Sequence, residues 1–206
     1  RSVAVTGVQT CALPILNGLY LANNLPSDVF INALTELDTQ QWLTPFGVNG
    51  RHVQHYGFVY DYKTGVINNP AVAFIPIITK LADLLSHVCH TSGVMLPDNQ
   101  KDVGYIFNQC IVNNYLPGQG ISEHIDNLAY GGIIGCFTLG NGANMRFRLA
   151  DTVHDVYVAP NTLYIMSGDA RYKWTHQMPN AKFDNISGFK TPRKRRVSVT
   201  FRYVAL

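Results

Sequence analysis

The 206-residue sequence has few of the features that assign a chain quickly to a class of protein. Its four cysteines form no CxxC pair and are unevenly spaced, which argues against a zinc knuckle and a disulfide framework. No apolar run reaches the length of about 18 residues that a membrane-spanning helix needs. A formal net charge of +3 is too small to argue for a polyanionic partner. We therefore expect free thiols at Cys11, Cys89, Cys110 and Cys136, no membrane association and a monomer. An intracellular location is expected, in the cytoplasm or nucleus if the protein is eukaryotic.

The N-terminal segment is unlike the rest of the chain. Residues 5–15, VTGVQTCALPI, resemble the conceptual translation of a sequencing adaptor. The alternative of a signal-peptide core is weakened by the polar residues and glycine that interrupt the apolar run. We therefore interpret residues 1–15 as a non-native segment and expect a single domain over residues 16–206. Native sequence upstream of residue 16 stays open.

Two segments have helical periodicity. Residues 26–43 place apolar side chains on one stripe, and Ser27 or Asp28 could cap the first turn. Residues 76–89 begin with Pro76, which is favoured at the first helical position, and repeat the stripe. The sequence predicts two amphipathic helices that pack on a common core.

Strand-like segments make up most of the remainder. Residues 53–62, VQHYGFVYDY, alternate, so Tyr56, Phe58, Tyr60 and Tyr62 are expected on one face. After residue 105, short apolar runs are separated by Gly, Asn, Asp and Pro. This pattern predicts a mainly β fold with flanking helices (α+β). A double-stranded β-helix, the cupin-like jelly roll, fits it better than a doubly wound sheet does.

The stretch PGQGISEHIDN, residues 117–127, contains a candidate half of a metal site. In a strand His124 and Asp126 would point the same way, while Ile125 would turn into the core. Two imidazoles and one carboxylate suit Fe(II), because they leave coordination positions open. His176, beyond several intervening strands, is the candidate third ligand. Taken alone, the HxD pair is also compatible with an ordinary surface loop.

The last apolar run, Arg196-Val-Ser-Val-Thr-Phe-Arg202, alternates cleanly. One face carries Arg196, Ser198, Thr200 and Arg202, a set that could hold a small dicarboxylate because the arginine fork grips a carboxylate through two hydrogen bonds. A basic, solvated edge strand is the alternative.

The motif order makes a family resemblance specific. The chain resembles the AlkB family of Fe(II)- and 2-oxoglutarate-dependent dioxygenases over about residues 50–204, most closely the branch that modifies the tRNA wobble uridine. The motifs are NxYxPGxGIxxHxD (113–126), FTLGNGANMRF (137–147), LYIMSGDARYKWTH (163–176) and RRVSVTFR (195–202). The resemblance implies that His124, Asp126 and His176 hold Fe(II), with 2-oxoglutarate and O2 as cosubstrates.

The resemblance also assigns the cosubstrate residues. It implies that Asn113 and Tyr115 hydrogen-bond 2-oxoglutarate. It implies further that Arg196 pairs with the distal carboxylate and that Arg202 lies near the metal-proximal end. The implied reaction oxidises a methyl or other alkyl group on a nucleic-acid base in RNA or DNA, as in DNA repair or RNA modification. Demethylation and stable hydroxylation both stay open, because the iron ligands are the same for both.

The sequence identifies the substrate-binding residues less clearly than the metal and cosubstrate residues. A flipped or single-stranded base would stack on aromatic faces, for which Tyr56, Phe58 and Tyr60 are candidates. Arg51 or Arg171 could contact phosphate or base edges. The alternative is that the aromatics are core and the arginines structural. Leu128 stands where many repair members have an acid, which fits a different base or a substrate that is not a nucleic acid. A protein or small-molecule hydroxylase and a non-catalytic jelly-roll binding module are the alternative functions.

Two further motifs have ordinary interpretations. Residues 87–90, HVCH, carry metal-ligand residue types, but they lie on a helical stripe without a second pair. Residues 192–196, PRKRR, could be a nuclear address or a nucleic-acid patch. We favour a solvated loop that leads into Arg196.

Overall fold

The computed structural model describes residues 9–10, 16–23 and 25–205. The proposed non-native segment lies outside the described residues except for Gln9 and Thr10, and Cys11 lies outside them as well. Within these ranges no helix combines the length and hydropathy that a membrane span requires. The helices are α1 (Ser27–Asp38), α2 (Pro76–Thr91) and α3 (Gly168–Tyr172), with a 3-10 turn at Asp98–Gln100. The strands are β1 (Gln9–Thr10), β2 (Leu19–Asn23), β3 (His52–Tyr60), β4 (Ile67–Val72), β5 (Gln109–Tyr115), β6 (Ile121–His124), β7 (Ile134–Gly140), β8 (Ala143–Leu149), β9 (Thr152–Val158), β10 (Thr162–Met166), β11 (Thr175–Met178), β12 (Phe183–Ile186), β13 (Phe189–Pro192) and β14 (Arg196–Arg202).

Two sheets form the body of the protein. The larger sheet has the strand order β1-β2-β10-β7-β14-β5-β3-β4, and the smaller has the order β6-β11-β8-β9. Side chains from both sheets share one buried cluster, which includes Tyr115 and Tyr164 from the larger sheet and Phe147 and Met178 from the smaller. This arrangement is a jelly roll, and the expectation of a mainly β fold with flanking helices is confirmed.

The two long helices cover the outer face of the larger sheet. Phe30 of α1 and Leu81 of α2 join one buried cluster with Phe137, Val199 and Phe201. Burial of such side chains stabilises the layer by roughly 1.5–3 kcal/mol each. Both helices were expected, but α1 ends at Asp38, well before the predicted end at residue 43.

Both ends of α1 differ from the prediction. The N-cap is Pro26, and no side chain caps the first turn, so capping by Ser27 or Asp28 was wrong. At the other end, Leu43 leaves the helical path and exchanges two backbone hydrogen bonds with Val53, of 2.8 and 2.9 Å. A pairing of that kind requires extended backbone, which ends the helix earlier than the apolar stripe predicts.

Strand β14 lies at the centre of the larger sheet. It pairs with β5 on one side and β7 on the other, which excludes the edge-strand interpretation. Val197, Val199 and Phe201 pack beneath the helices, as the alternation predicted. The opposite face, which carries the two arginines and two hydroxyls, lines a cleft between the sheets.

Strand β3 contains a bulge that the alternation pattern does not show. The β3–β4 register shifts on both sides of Phe58, and Gly57 has a φ of +70°. The extra residue reverses which side chains face the helices. Tyr56 therefore packs in the helix-side cluster, whereas Phe58 and Tyr60 cluster on the opposite side. The prediction that these aromatics share one face was wrong.

Replacing Gly57 with alanine should destabilise the fold by about 2 kcal/mol or more, because left-handed backbone disfavours a Cβ. An added Cβ would also lie 1.9 Å from the carbonyl oxygen of Asn108. Urea denaturation measures the loss. Gly93→Ala is the matched control, since Gly93 has a φ of +65° with nothing within 4 Å of an added Cβ. Equal losses for the two variants would mean that the close approach at Gly57 is unimportant.

Candidate metal centre and substrate cavity

The three predicted ligands converge where the two sheets meet. His124 ends β6, and its Cα pairs directly with that of His176 on β11, which places the ring centroids 4.3 Å apart. Asp126 lies two residues beyond the strand, in the following loop. Potential ligand atoms of these three side chains all lie within 4.8 Å of one another. Ile125 is 36% exposed and lines a cavity, so its predicted burial in the core was wrong.

The hydrogen bonds of the three side chains leave ligand atoms available. Nδ1 of His124 lies 2.7 Å from the carbonyl oxygen of Ser122. Since a carbonyl can only accept, Nδ1 carries the proton and Nε2 has a free lone pair. Oδ2 of Asp126 is buried without a hydrogen-bond partner in the described part of the chain, 3.5 Å from Nε2 of His176. A buried, unpartnered carboxylate oxygen is costly unless a cation binds there. The residues present therefore fit a metal ion.

The electrostatics set the protonation states that metal binding requires. Burial raises the pKa of the Asp126 carboxyl, but Arg202, His176 and His124 together lower it by more, so the pKa lies below its ordinary value. Arg202 donates to Oδ1 of Asp126 through Nε and Nη2, at 3.0 and 2.7 Å. Burial lowers the pKa of His176 to about 4. Near neutral pH the site thus offers an anionic carboxylate and a neutral imidazole, the forms that coordinate metals.

The predicted cosubstrate residues line the cleft beside this cluster. Arg196 is buried, donates through Nη2 to Oγ1 of Thr138 at 2.9 Å, and lies 5.7 Å from the ring centroid of Tyr115. Its Nε is buried and has no partner among the described residues. A desolvated guanidinium with a free donor suits a carboxylate ligand. The cleft is lined by Asn113, Tyr115, Arg196, Ser198, Thr200 and Arg202 together with the three metal-site residues.

Arg202 has protein partners on every nitrogen. Besides its two bonds to Asp126, Nη1 donates to Oε1 of Gln109 at 3.3 Å, and the guanidinium carbon lies 4.8 Å from the ring centroid of Tyr130. In this structure Arg202 therefore orients a metal-site carboxylate. Its predicted contact with the metal-proximal end of 2-oxoglutarate stays a prediction.

A second cavity opens on the other side of Asp126. Its volume is about 350 Å³, within the range of about 300–1,000 Å³ that is usual for ligand sites. Its walls combine aromatic rings with one half-buried cation, Arg51, which lies over the ring of Phe46 at 3.8 Å. Arg51 thus lines the cavity, and its predicted contact with substrate stays a prediction. The aromatic lining residues are Phe46, Tyr60, Tyr62 and Tyr130.

Two predicted substrate residues are structural instead. Tyr56 faces the helices, where its hydroxyl donates to Gln54 at 3.0 Å. Arg171 is only 1% exposed, and its guanidinium donates to four backbone carbonyls of the loop after the metal aspartate. The acceptors are the carbonyls of Asp126, Asn127, Tyr130 and Gly131, at 2.8 to 3.1 Å. Phe58 lies beside the cavity, packed against Tyr130 and Val204.

Several cavity residues were not found from the sequence. Phe46 precedes β3 in a loop without periodicity, and Tyr130 lies in the loop after the metal aspartate. Tyr60 and Tyr62 were assigned to one regular strand, but β3 ends at Tyr60 and contains a bulge that only Gly57 marks in the sequence. The available signal was therefore one glycine in an otherwise regular strand, which often indicates a bulge.

Two arginines of the basic run are paired with carboxylates, and the HVCH segment is not part of a metal-ligand cluster among the residues that the structure describes. Arg193 is buried against Asp184 at 2.7 Å, and Arg195 pairs with Asp38. Burial raises the pKa of the Cys89 thiol to about 12. In the described ranges, His124, Asp126 and His176 are the only group of three or more candidate metal ligands brought together.

Comparison with known proteins identifies the family. Residues 35–202 match the model of the 2OG-Fe(II) oxygenase superfamily. Uncharacterized protein L905 of Acanthamoeba polyphaga mimivirus is 31% identical over 92% of this chain and 86% of its own length. The alkylated DNA repair protein ALKBH8 homolog of Arabidopsis thaliana is 27% identical over 83% of this chain, which spans 53% of that protein. The tRNA (carboxymethyluridine(34)-5-O)-methyltransferase alkbh8 of Xenopus tropicalis is 33% identical over 75% of this chain, which spans 26% of that protein.

Solved structures show the same fold at low identity. The structure of OsALKBH1 superposes with a TM-score of 0.67 at 17% identity, over 93% of this chain and all of that chain. A Pseudomonas putida prolyl-4-hydroxylase superposes with a TM-score of 0.57 at 16% identity, over 92% of this chain and 94% of that chain. With the metal cluster and the family match, these likenesses support one conclusion. The chain belongs to the 2OG-Fe(II) oxygenase superfamily, and it is an AlkB-like dioxygenase that uses Fe(II), 2-oxoglutarate and O2.

Proposed function

We propose that the enzyme oxidises a methyl or other alkyl group on a nucleic-acid base that is single-stranded or flipped out of a duplex. With Fe(II) and 2-oxoglutarate bound, O2 would supply the oxidising power for breaking a C–H bond. The protein's part is to bind the base, orient it and exclude water. The names of the ALKBH8 relatives support a nucleic-acid substrate.

The cavity beside Asp126 is the observation that carries this proposal. Three tyrosines and one phenylalanine line it, and Tyr60 lies between Tyr62 and Tyr130, with ring centroids 5.2 and 6.5 Å away. Every base has a π-face that stacks on such rings. Burial raises the pKa of Tyr130 to about 12, so the phenol stays neutral beside Arg202. The cavity therefore offers aromatic faces and hydroxyls, with the cation of Arg51 at its wall.

The loop after the metal aspartate closes one side of this cavity. Nδ2 of Asn127 donates to the carbonyl oxygen of Gly65 at 3.0 Å and thereby joins the loop to the β3–β4 turn. Leu128, next in the chain, is 74% exposed and is not one of the residues that line the cavity. A side chain at this position would contact the part of a nucleic acid outside the cavity.

Replacing Tyr60 with alanine should raise KM for an oligonucleotide substrate by roughly 5- to 150-fold, because base–aromatic stacking contributes about 1–3 kcal/mol per base. The fold should persist, since Tyr60 is only partly buried. Steady-state kinetics with the best oligonucleotide measures the change. Phe189→Ala, which removes an exposed ring from the β12–β13 hairpin, is the control and should leave KM unchanged. An unchanged KM for Tyr60→Ala would show that the base does not stack there.

The substrate class is tested by turnover with a panel of methylated and wobble-modified RNA and DNA oligonucleotides. Succinate, formaldehyde and product mass are followed together with Fe(II), 2-oxoglutarate and O2 present. Formaldehyde release with loss of a methyl group means demethylation, and a gain of one oxygen atom without formaldehyde means hydroxylation. If no oligonucleotide stimulates succinate formation and binding is independent of salt, the nucleic-acid proposal is wrong.

A further inference from the structure

The wall between the cosubstrate cleft and the substrate cavity is built around Asn113. This side chain is buried and lines both spaces. Nε of Arg51 donates to its Oδ1 at 3.0 Å. A guanidinium has donors and no acceptor, so the amide oxygen, not the nitrogen, must face Arg51. The amide nitrogen is left to donate elsewhere, and the cleft is the space it adjoins. Arg51 thus determines which way the amide is turned.

Arg51 is itself held in place from the cavity side. Its guanidinium carbon lies 3.8 Å from the ring centroid of Phe46 and 5.9 Å from that of Tyr62. The loop that carries Phe46 is tied down by Gln119, whose Nε2 donates to the carbonyls of Asn49 and Gly50 at 2.9 and 3.0 Å. A chain of contacts therefore runs from the rim of the substrate cavity to the wall of the cosubstrate cleft.

We propose that Arg51 is a positioning residue for 2-oxoglutarate, which acts by fixing the amide of Asn113 so that its nitrogen donates to the cosubstrate. The proposal rests on the predicted contact between Asn113 and 2-oxoglutarate and is independent of the substrate class. Arg51, a residue that lines the substrate cavity, thus affects the affinity for 2-oxoglutarate. A substrate that moves Phe46 or Arg51 would consequently change how tightly 2-oxoglutarate binds.

Isothermal titration of 2-oxoglutarate into the protein loaded with Mn(II) measures this effect without turnover. Arg51→Met should raise the Kd for 2-oxoglutarate about tenfold or more, the effect of losing one hydrogen bond to a charged group. Arg146→Met is the matched control. It removes the same charge from an exposed pair with Asp155, whose atoms lie 2.7 Å apart, and should leave the Kd unchanged. Thermal melts of each variant establish that the fold is kept.

A double-mutant cycle separates positioning from simple charge attraction. In an Asn113→Ala background, Arg51→Met should change the Kd by less than about twofold, because the group that Arg51 orients is gone. Additive effects would overturn the proposal, since Arg51 would then act through its own charge. An unchanged Kd in Arg51→Met, or in Asn113→Ala alone, would overturn it as well. No nucleic acid enters these titrations, so their failure leaves the proposed substrate class untouched.

Discussion

Replacing His124 with alanine should reduce turnover by more than about 100-fold while the protein stays folded. Changing a residue that merely supports a metal ligand typically costs 10- to 100-fold in affinity or activity, so losing one of three ligands should cost more. His124 is the half-buried member of the cluster, whereas Asp126 and His176 are buried. Removing the His124 ring should therefore disturb the core less than removing either of the other two ligand side chains. Succinate formation and Mn(II) binding by calorimetry should both fall.

The control for this prediction is His154→Ala. His154 packs on Trp174, with ring centroids 5.4 Å apart, and lies outside the metal cluster. Its loss should leave metal binding and turnover near the wild-type values. If His124→Ala retained both, the assignment of the metal centre would be wrong.

Asp126→Asn should differ from His124→Ala by lowering stability as well. The carboxylate of Asp126 is the counter-ion of Arg202, and both side chains are buried. Breaking a buried ion pair from one side leaves an uncompensated charge, which typically costs about 3–5 kcal/mol. Asp126 therefore contributes both to metal binding and to the stability of the fold, and its variants should change both properties.

Replacing Arg171 with methionine should lower the free energy of unfolding by about 3 kcal/mol or more. Four backbone carbonyls of the loop from Asp126 to Gly131 would lose their donors, and each unsatisfied buried group costs about 1–3 kcal/mol. Because α3 leads directly into β11, Arg171 also joins the Asp126 loop to the segment that carries His176. Metal affinity should consequently fall too.

Chemical denaturation and amide hydrogen exchange of residues 126–131 test this role. Exchange in the loop should accelerate before global unfolding, because four of the loop's carbonyls lose the cation that donates to them. Arg146→Met is the control, since its exposed ion pair should contribute about 1 kcal/mol or less. If Arg171 instead contacted substrate, the variant would raise KM with unchanged stability, a result that contradicts the structure.

Much of the fold follows from periodicity. The helical stripes at residues 26–43 and 76–89 predict the covering layer, and the strict alternation of residues 196–202 predicts a strand with one apolar and one polar face. These signals are local and depend only on backbone geometry. The ends of elements were predicted less well, because Leu43, beyond the end of α1, pairs with Val53, and such a pairing is not visible in the helical stripe.

The substrate cavity shows why local patterns are insufficient. One extra residue at Gly57 exchanges the faces of β3, so a regular alternation assigned Tyr56 to the wrong side. Arg171 and Arg51 are equally polar in sequence, yet one is enclosed by carbonyls and the other lines a cavity. Whether an arginine binds a ligand or the protein's own backbone depends on which loop folds against it.

The sequence by itself determined the residue types of the site and their order: His124 and Asp126 after a glycine turn, His176 downstream, and alternating Arg196 and Arg202. These residue types can bind a metal ion and a carboxylate in any fold that brings them together. Only the tertiary structure decided which of these side chains contact one another. It places His176 opposite His124 on neighbouring strands and pairs Arg202 with the carboxylate of Asp126. Such contacts join residues that are far apart in the chain, so their distances and burial arise only when the two sheets pack together.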